Sequence, residues 1–378
     1  MKVALLTDCY LPRLGGIQVQ THDLAAQLQR RGHEVEVFTA TQGAHGERHG
    51  FVEEVDGVRV HRMAVRLPWQ LPVNPLAPPQ VRRRLADGGF DVAHVHMGVV
   101  SPFATDLAGV ALGLGLPTAI SWHCLMEHSR PLFWVLGHAR RWGQRGAALS
   151  AVSGVAAASV QQVVGTGAGA PEVRVFPNGI DAGLWSPPVD RGPRDEGAPV
   201  RVVAAMRLAA RKRPAAVLEI AERARAAVPA DVAMRLDLYG EGPERGRLER
   251  RVAARGLDWV HLPGRVTREE LRRAYWDADV YLTPVRLEAF GIAALEARTA
   301  GLPVLARSGS GVGDFIEDGV NGFLGEDDES LAAALAELVT DRDLRQRIAT
   351  QNATVPPAQT WPAVAALAEE EYRRAGAS

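Results

Sequence analysis

The chain has 378 residues, 47% hydrophobic and 23% charged, with a formal net charge of −1. At about 100–200 residues per domain this length holds two domains with large cores, and the near-neutral balance argues against a nucleic-acid binder. Only two cysteines occur, Cys9 and Cys124, which excludes a disulfide scaffold and fits a reducing, cytoplasmic setting.

From the N-terminus, MKVALLTDCYLPR has one Lys, a short apolar run and then Asp8, with no small-residue cleavage site, so it does not read as a signal peptide. KVALLT (2–7) reads as a strand, followed by a loop with Gly15 and Gly16 and a helical pattern over 21–32 that stops at Gly32. Further strands are expected at 34–39, 57–63, 91–96, 117–122, 148–153 and 172–177, with helical patterns in most of the gaps. The apolar stretch 99–117 contains Asp106 and two prolines, so it reads as a buried helix, since a membrane span needs about 18–20 clean apolar residues.

The segment 178–199 is rich in Pro, Gly and Asp without periodicity and is expected to be a linker. Alternation then restarts, with strands at 200–206, 234–240, 259–264, 279–285 and 303–308 and helices near 213–227, 243–254 and 289–300. Residues 360–374 read as a final amphipathic helix. The β-α alternation predicts two doubly wound α/β domains, 1–177 and 200–358, with a C-terminal segment 359–378. Ligands in such sheets bind at the carboxyl ends of the strands, and two domains facing each other enclose a deep cleft.

The strand ends carry the chemistry. In RLEAFGIAALEA (286–297), eight residues separate Glu288 from Glu296, about 2.2 helical turns. A helix starting near Ala289 puts both carboxylates on roughly one side, beside the first-turn N–H groups of Gly291 and Ile292, which are able to hold an anion or a hydroxyl. The alternative is a capping Glu288 and a solvated Glu296. In MRLAARKRP (206–214), Arg207 follows a strand and Lys212 stands where the next helix begins. Cations at a helix N-terminus are electrostatically disfavoured without an anion between them, and Arg with Lys suits a diphosphate. Arg211 and Arg213 read as a solvated turn. Gly15–Gly16 offers N–H groups at close range but lacks G-x-G-x-x-G spacing. His123, in ISWHC, follows another strand. His94-x-His96 alternates along a strand without other metal-ligand spacing, and Asp277-x-Asp279 precedes its strand, at the amino end.

Taken in order, GGIQ, SWH at 121–123, PNGID at 177–181, Arg207 with Lys212, GEGPE at 240–244, LPGRV at 262–266, LEAFGIAALEA, AGLPVLA at 300–306 and DGVNGFL at 318–324 resemble the family 4 retaining glycosyltransferases. The resemblance covers nearly the whole chain. It implies the GT-B architecture: two Rossmann-like domains across a cleft, the C-terminal helix packing back on the N-terminal one. It implies that Arg207 and Lys212 bind the diphosphate of a UDP- or GDP-sugar, Glu296 the ribose, and Glu288 the transferred hexosyl group, with Phe290, Gly291 and Ile292 beside it. Arg265 and Val266 would meet the base, Gly16 would cover the phosphates, and His123 would contact the sugar as a catalytic group with Glu288, Arg207 and Lys212. No metal or other cofactor is expected. Met206, Arg213, Val285 and Asp314 depart from the family's usual residues and leave the fine shape of the phosphate loop open.

The rival classes are a dinucleotide-dependent oxidoreductase, which needs the missing glycine fingerprint, and a nonenzymatic nucleotide-sugar binder, which has no need of Arg207 and Lys212 together. The acceptor is unspecified. Two basic stretches, 81–85 and 130–145, the latter mixing Phe133, Trp134 and Trp142 with Arg130, Arg140, Arg141 and Arg145, are the candidates for peripheral contact with an anionic membrane; the alternative is an ordinary half-buried helix.

Overall fold

The computed structural model describes residues 1–13, 15–48, 50–65, 72–126, 137–188 and 197–378. Two units separate by their contacts, Met1–Gly179 with Trp361–Ser378, and Ile180–Thr360. The first runs β1 (Lys2–Thr7), α1 (Gly16–Arg30), β2 (Glu34–Thr39), β3 (Phe51–Val55), β4 (Val58–Arg62), α2 (Ala77–Asp87), β5 (Val92–Met97), α3 (Pro102–Gly113), β6 (Thr118–Trp122), α4 (His138–Gln144), β7 (Ala148–Ala151), α5 (Gly154–Val164) and β8 (Val173–Val175). Its sheet has the order β3-β4-β2-β1-β5-β6-β7-β8, parallel except for the β3–β4 pair. Every residue of β5 is buried, the pattern of a parallel strand covered on both faces.

The second unit runs α6 (Ala182–Trp185), β9 (Val200–Ala205), α7 (Pro214–Ala227), β10 (Met234–Tyr239), α8 (Arg245–Arg255), β11 (Val260–Gly264), α9 (Arg268–Trp276), β12 (Val280–Thr283), α10 (Ile292–Thr299), β13 (Val304–Arg307), β14 (Gly322–Gly325), α11 (Asp328–Thr340) and α12 (Arg342–Thr354). Its strands order as β11-β10-β9-β12-β13-β14, all parallel. Val202, Ala204, Val217, Ile220, Leu236, Val280, Leu305 and Leu335 belong to its core. Both units are Rossmann-like, and their strand carboxyl ends are where the chemistry-bearing loops emerge.

Three details differ from the sequence reading. The strand expected at 57–63 is the second arm of a hairpin: Asp56 and Gly57 turn at φ 48° and 80°, the geometry that favours Asp-Gly, and β3 went unseen because most of its side chains are exposed at the sheet edge. β14 is four residues bounded by glycines, too short to show alternation. Residues 180–188 of the expected linker belong to the second unit, where Trp185 is fully buried; one aromatic anchor in a four-residue helix leaves no periodic signal.

The last helix, α13 (Trp361–Arg374), returns to the first unit. Trp361, Val364, Ala368 and Tyr372 join a core with Leu24, Leu28, Val37 and Val92. Arg31 and His33 hold Glu369 at 2.6 and 3.0 Å, and the Arg31 hydrogen bond is the main reason its carboxyl falls to about 2. Gly179 lies so close beneath Trp361 that a Cβ would overlap the indole. Gly179→Ala is therefore expected to lower stability by about 1–3 kcal/mol, the usual cost of overpacking. Gly246→Ala, where a Cβ meets nothing within 4 Å, should not, and thermal unfolding of the two variants compares them directly.

Candidate active site

Arg207 stands two residues beyond β9 and is exposed. Its backbone is fixed by what lies behind it. Leu208, fully buried, donates to the Glu241 carbonyl at 2.9 Å and accepts from the Glu244 N–H at 2.9 Å, while Met206 donates to Tyr239 at 3.1 Å. Gly240 and Gly242 adopt φ of 128° and 157°, and a Cβ on either would overlap the carbonyl of Met206 or Leu208. GEGPE is thus the support of the 206–208 backbone, and its glycines serve close packing of chain on chain.

A 3₁₀ turn (Ala210–Lys212) carries the chain to Arg213, which is left-handed at φ 56° and precedes Pro214, the first residue of α7. The Lys212 ammonium donates to Glu288 at 2.6 Å. Arg213 differs from its expected solvated role: it holds Asp328 through two bonds of 2.9 and 2.6 Å and donates to the Pro284 carbonyl at 2.9 Å. A bidentate pair of this kind fixes the loop after β12 against the start of α11.

Helix α10 begins at Ile292, not near Ala289, because Gly291 takes the left-handed conformation (φ 94°) at the N-cap. Glu288 therefore lies in the loop before the helix rather than capping it, and Glu296 lies in the second turn. The loop is held from behind: Gly311 donates to the Glu288 carbonyl at 2.9 Å, and a Cβ at 311 would overlap the Ala289 carbonyl. Glu296 is 8% exposed and has Arg268 at 3.7 Å. Both carboxylates surround Tyr281, whose phenol is pushed up first by burial and then by Glu288 and Glu296. Each of the two glutamates thus has a basic neighbour, Lys212 for Glu288 and Arg268 for Glu296, so Glu296 is not the solvated carboxylate of the alternative reading. Phe290 is buried against Phe315, with centroids 5.3 Å apart, so its side chain is a core anchor. Arg265 is exposed and Val266 half-buried just beyond β11.

In the first unit, Gly16 is exposed and opens α1, while His123 is half-buried one residue past β6. His123 Nε2 lies 2.9 Å from His96 Nδ1, and the Asn178 side chain bonds the same ring. Burial lowers His123 to about 4. His94, its ring tilted 32° against that of His96 with centroids 4.2 Å apart, lies 3.0 Å from the Tyr372 hydroxyl and 2.8 Å from Ser121 Oγ. Burial lowers His94 to about 3 and His96 well below the usual imidazole value. Asp8, at the end of β1, accepts from the Phe103 N–H at 3.0 Å in the first turn of α3, and burial raises it to about 6.

Residues 14–184 match the family model for Glycosyltransferase Family 4, and residues 192–355 match that for Glycosyl transferases group 1. The GDP-mannose-dependent alpha-mannosyltransferase of Mycobacterium tuberculosis (strain CDC 1551 / Oshkosh) is 26% identical over 391 residues, covering 96% of this chain and 94% of that protein. The D-inositol 3-phosphate glycosyltransferase of Pseudarthrobacter chlorophenolicus is 29% identical over 388 residues, covering 96% and 90%. The fold is shared with Anabaena Alr3699/HepE, crystallised with UDP and glucose, at a TM-score of 0.73 and 19% identity, with 98% of each chain covered. It is also shared with sucrose-phosphate synthase from Thermosynechococcus elongatus, at a TM-score of 0.74 and 20% identity, covering 99% of this chain and 98% of that one. The chain belongs to the family 4 glycosyltransferases.

Several polar groups of this glycosyltransferase were missed from sequence. His96 and Asn178 reach His123 from other segments, and Arg268 reaches Glu296 from α9; the one legible signal was His94-x-His96, whose alternation puts both rings on one face of β5. Asp277 ends α9 and Asp279 bonds the Arg201 N–H at 2.7 Å, at the strand's amino end as expected. Among the described residues no group of three or more His, Cys, Asp or Glu is arranged to hold a metal ion, and no helix is long and apolar enough to cross a membrane. In the basic stretches, Arg82, Arg83, Arg140 and Arg141 are exposed while Val81, Leu85 and Trp142 are buried. Arg130, Phe133 and Trp134 lie outside the described residues.

The buried groups set opposite pH dependences. His94 titrates near 6.5 when unfolded and about 3 when folded. Between these values the unfolded chain binds a proton that the folded chain excludes. Stability from this group is therefore lost on acidification, by up to about 1.4 kcal/mol per pH unit. Asp8, raised from 3.8 to about 6, runs the other way, since the folded chain keeps a proton the unfolded chain releases. Urea unfolding from pH 7 to 4.5 should show a shallower acid decline for His94→Gln and a steeper one for Asp8→Asn.

Proposed function

We propose that this glycosyltransferase moves a hexosyl group from a UDP- or GDP-sugar to an acceptor hydroxyl, with retention at the anomeric carbon and without a metal ion. The observation that carries this reading is the approach of Lys212 to Glu288 just ahead of the α10 N-terminus, with exposed Arg207 on a braced backbone in the same strand-end set. A helix N-terminus favours an anion, and two cations suit a diphosphate. In this reading Arg207 and Lys212 bind the diphosphate, the N–H groups of Gly291 and Ile292 assist, Glu288 holds hydroxyls of the hexose, Glu296 holds the ribose, and Arg265 with Val266 meets the base. Gly16 and His123 are the contributions of the first unit, to the phosphates and the sugar.

Transfer breaks the bond between the anomeric carbon and the diphosphate oxygen, leaving an oxocarbenium-like sugar. Preplaced cations stabilise the charge that develops on the leaving group. The acceptor oxygen then bonds to the anomeric carbon on the face the diphosphate left, and its proton passes to the departing phosphate oxygen. The names of the relatives make GDP-mannose the first donor to assay and an inositol-bearing compound the first acceptor.

The direct test incubates the protein with UDP-, GDP- and ADP-sugars, with and without EDTA, and measures nucleotide release and the anomeric configuration of the product. Release unaffected by EDTA is expected. Arg207→Ala should raise the barrier by about 3–4 kcal/mol, the range for removal of a preorganised donor; near-normal turnover would end the assignment. We also propose that Arg82, Arg83, Arg140 and Arg141 support peripheral contact with anionic lipid. Co-sedimentation with phosphatidylserine vesicles at low salt is expected, and its loss when these four are changed to Glu checks it.

A further inference from the structure

Glu296 is buried, and a carboxylate in such a position is costly unless it is paired and held. Its surroundings are aromatic. The Tyr281 and Tyr275 phenols are both raised, first by burial and in part by the Glu296 charge, and their rings pack edge to face with centroids 5.7 Å apart. Arg268 lies beside Glu296, with its Nη2 3.7 Å from Glu296 Oε1. Arg268 is itself well placed. It is the first residue of α9, whose start is fixed by the reciprocal capping bonds of Thr267 and Glu270. Its guanidinium carbon lies 5.6 Å from the centre of the Trp185 ring. Trp185 is fully buried, packs on Tyr275 at 5.7 Å, and accepts the Trp276 indole N–H on its carbonyl at 2.8 Å.

We propose that Arg268 is a positioning residue for donor binding: stacked on Trp185, it holds the Glu296 carboxylate ionised and oriented toward the two hydroxyls of the nucleotide ribose. The proposal rests on the reading of Glu296 as the ribose contact. The chemistry is specific to arginine. A planar guanidinium presents one face to an indole and an edge to a carboxylate at the same time, which an ammonium does not reproduce. A carboxylate offers about four acceptor sites, so a cation at one edge is compatible with a cis-diol at the other. This gives the buried Trp185 a role in the site: it is the floor on which the ion pair is built.

The test compares binding of UDP and GDP with that of their 2′,3′-dideoxy counterparts by calorimetry, for the unmodified protein, Glu296→Ala, Arg268→Ala, Arg268→Lys and the Glu296→Ala/Arg268→Ala pair. Arg268→Ala should weaken the ribonucleotides by about five- to tenfold, within the range of coupled neighbours, and leave the dideoxynucleotides unchanged. Arg268→Lys, which keeps the charge and the fold, should show a smaller loss confined to the ribonucleotides. The double variant should bind no more weakly than Glu296→Ala alone. Equal losses on ribo- and dideoxynucleotides, or full additivity in the double variant, would overturn the positioning role while leaving the ribose reading standing. If Glu296→Ala itself failed to discriminate the two nucleotide types, the ribose reading would fall, and the proposal with it.

Discussion

The carbonyl oxygens of Met206 and Leu208 occupy the space where side chains at 240 and 242 would begin. This backbone-on-backbone contact is what the C-terminal unit's candidate site depends on. Arg207 is exposed and would otherwise sit on a freely moving turn, with a large rotamer and backbone entropy to lose on binding. Clamping residues 206 and 208 to the 239–244 segment removes much of the backbone part in advance. The same device recurs at Gly311, pressed on the Ala289 carbonyl, which braces the loop bearing Glu288. Two loops that must face water and charge are made rigid from behind by glycines that could carry no side chain.

That rigidity frames the electrostatics. Lys212 pairs with Glu288, Arg268 with Glu296, and Arg213 with Asp328. The first two place a proposed ligand contact against an opposite charge, so each is held oriented while its partner bears part of the desolvation cost. Arg213 lies outside that logic. Its fork is spent on Asp328 and the Pro284 carbonyl, while Lys212, its sequence neighbour, pairs with Glu288, so adjacent cations serve different ends. Among the described residues, Arg207 has no carboxylate partner.

Much of this was legible in the sequence, for physical reasons. The strands and helices follow from burial on two faces and from turn chemistry, and strand-end position singles out Arg207, Lys212, His123 and the two glutamates. What stayed hidden depends on long-range contacts or single residues. Arg268, Asp328 and Asn178 come from other segments, so no local spacing announces them. Trp185 anchors a four-residue helix inside what composition marks as a linker. The start of α10 slipped by three residues because Gly291 is left-handed, and in AFGIAAL good helix formers surround the glycine. Phe290, beside the glutamates in sequence, points into the core, since adjacency along a loop says little about direction.

The two units also differ in the charge they offer. At the strand ends of the C-terminal unit the groups are cations and carboxylates set against one another in ion pairs. At those of the N-terminal unit burial drives titratable groups toward neutrality: His94 falls to about 3, His123 to about 4, His96 lower than usual, and Asp8 rises to about 6. A neutral imidazole can accept a hydrogen bond from a hydroxyl or donate one, which an imidazolium cannot do in both senses. The division matches the substrates of the proposed reaction. The donor brings a diphosphate that must be held by fixed charge, whereas sugar and acceptor bring hydroxyls that are best read by groups that stay uncharged. The contacts of His96 and Asn178 with the His123 ring fix the imidazole in orientation before any ligand arrives. Burial of His123 itself thus keeps its imidazole neutral, and the contacts from His96 and Asn178 orient it.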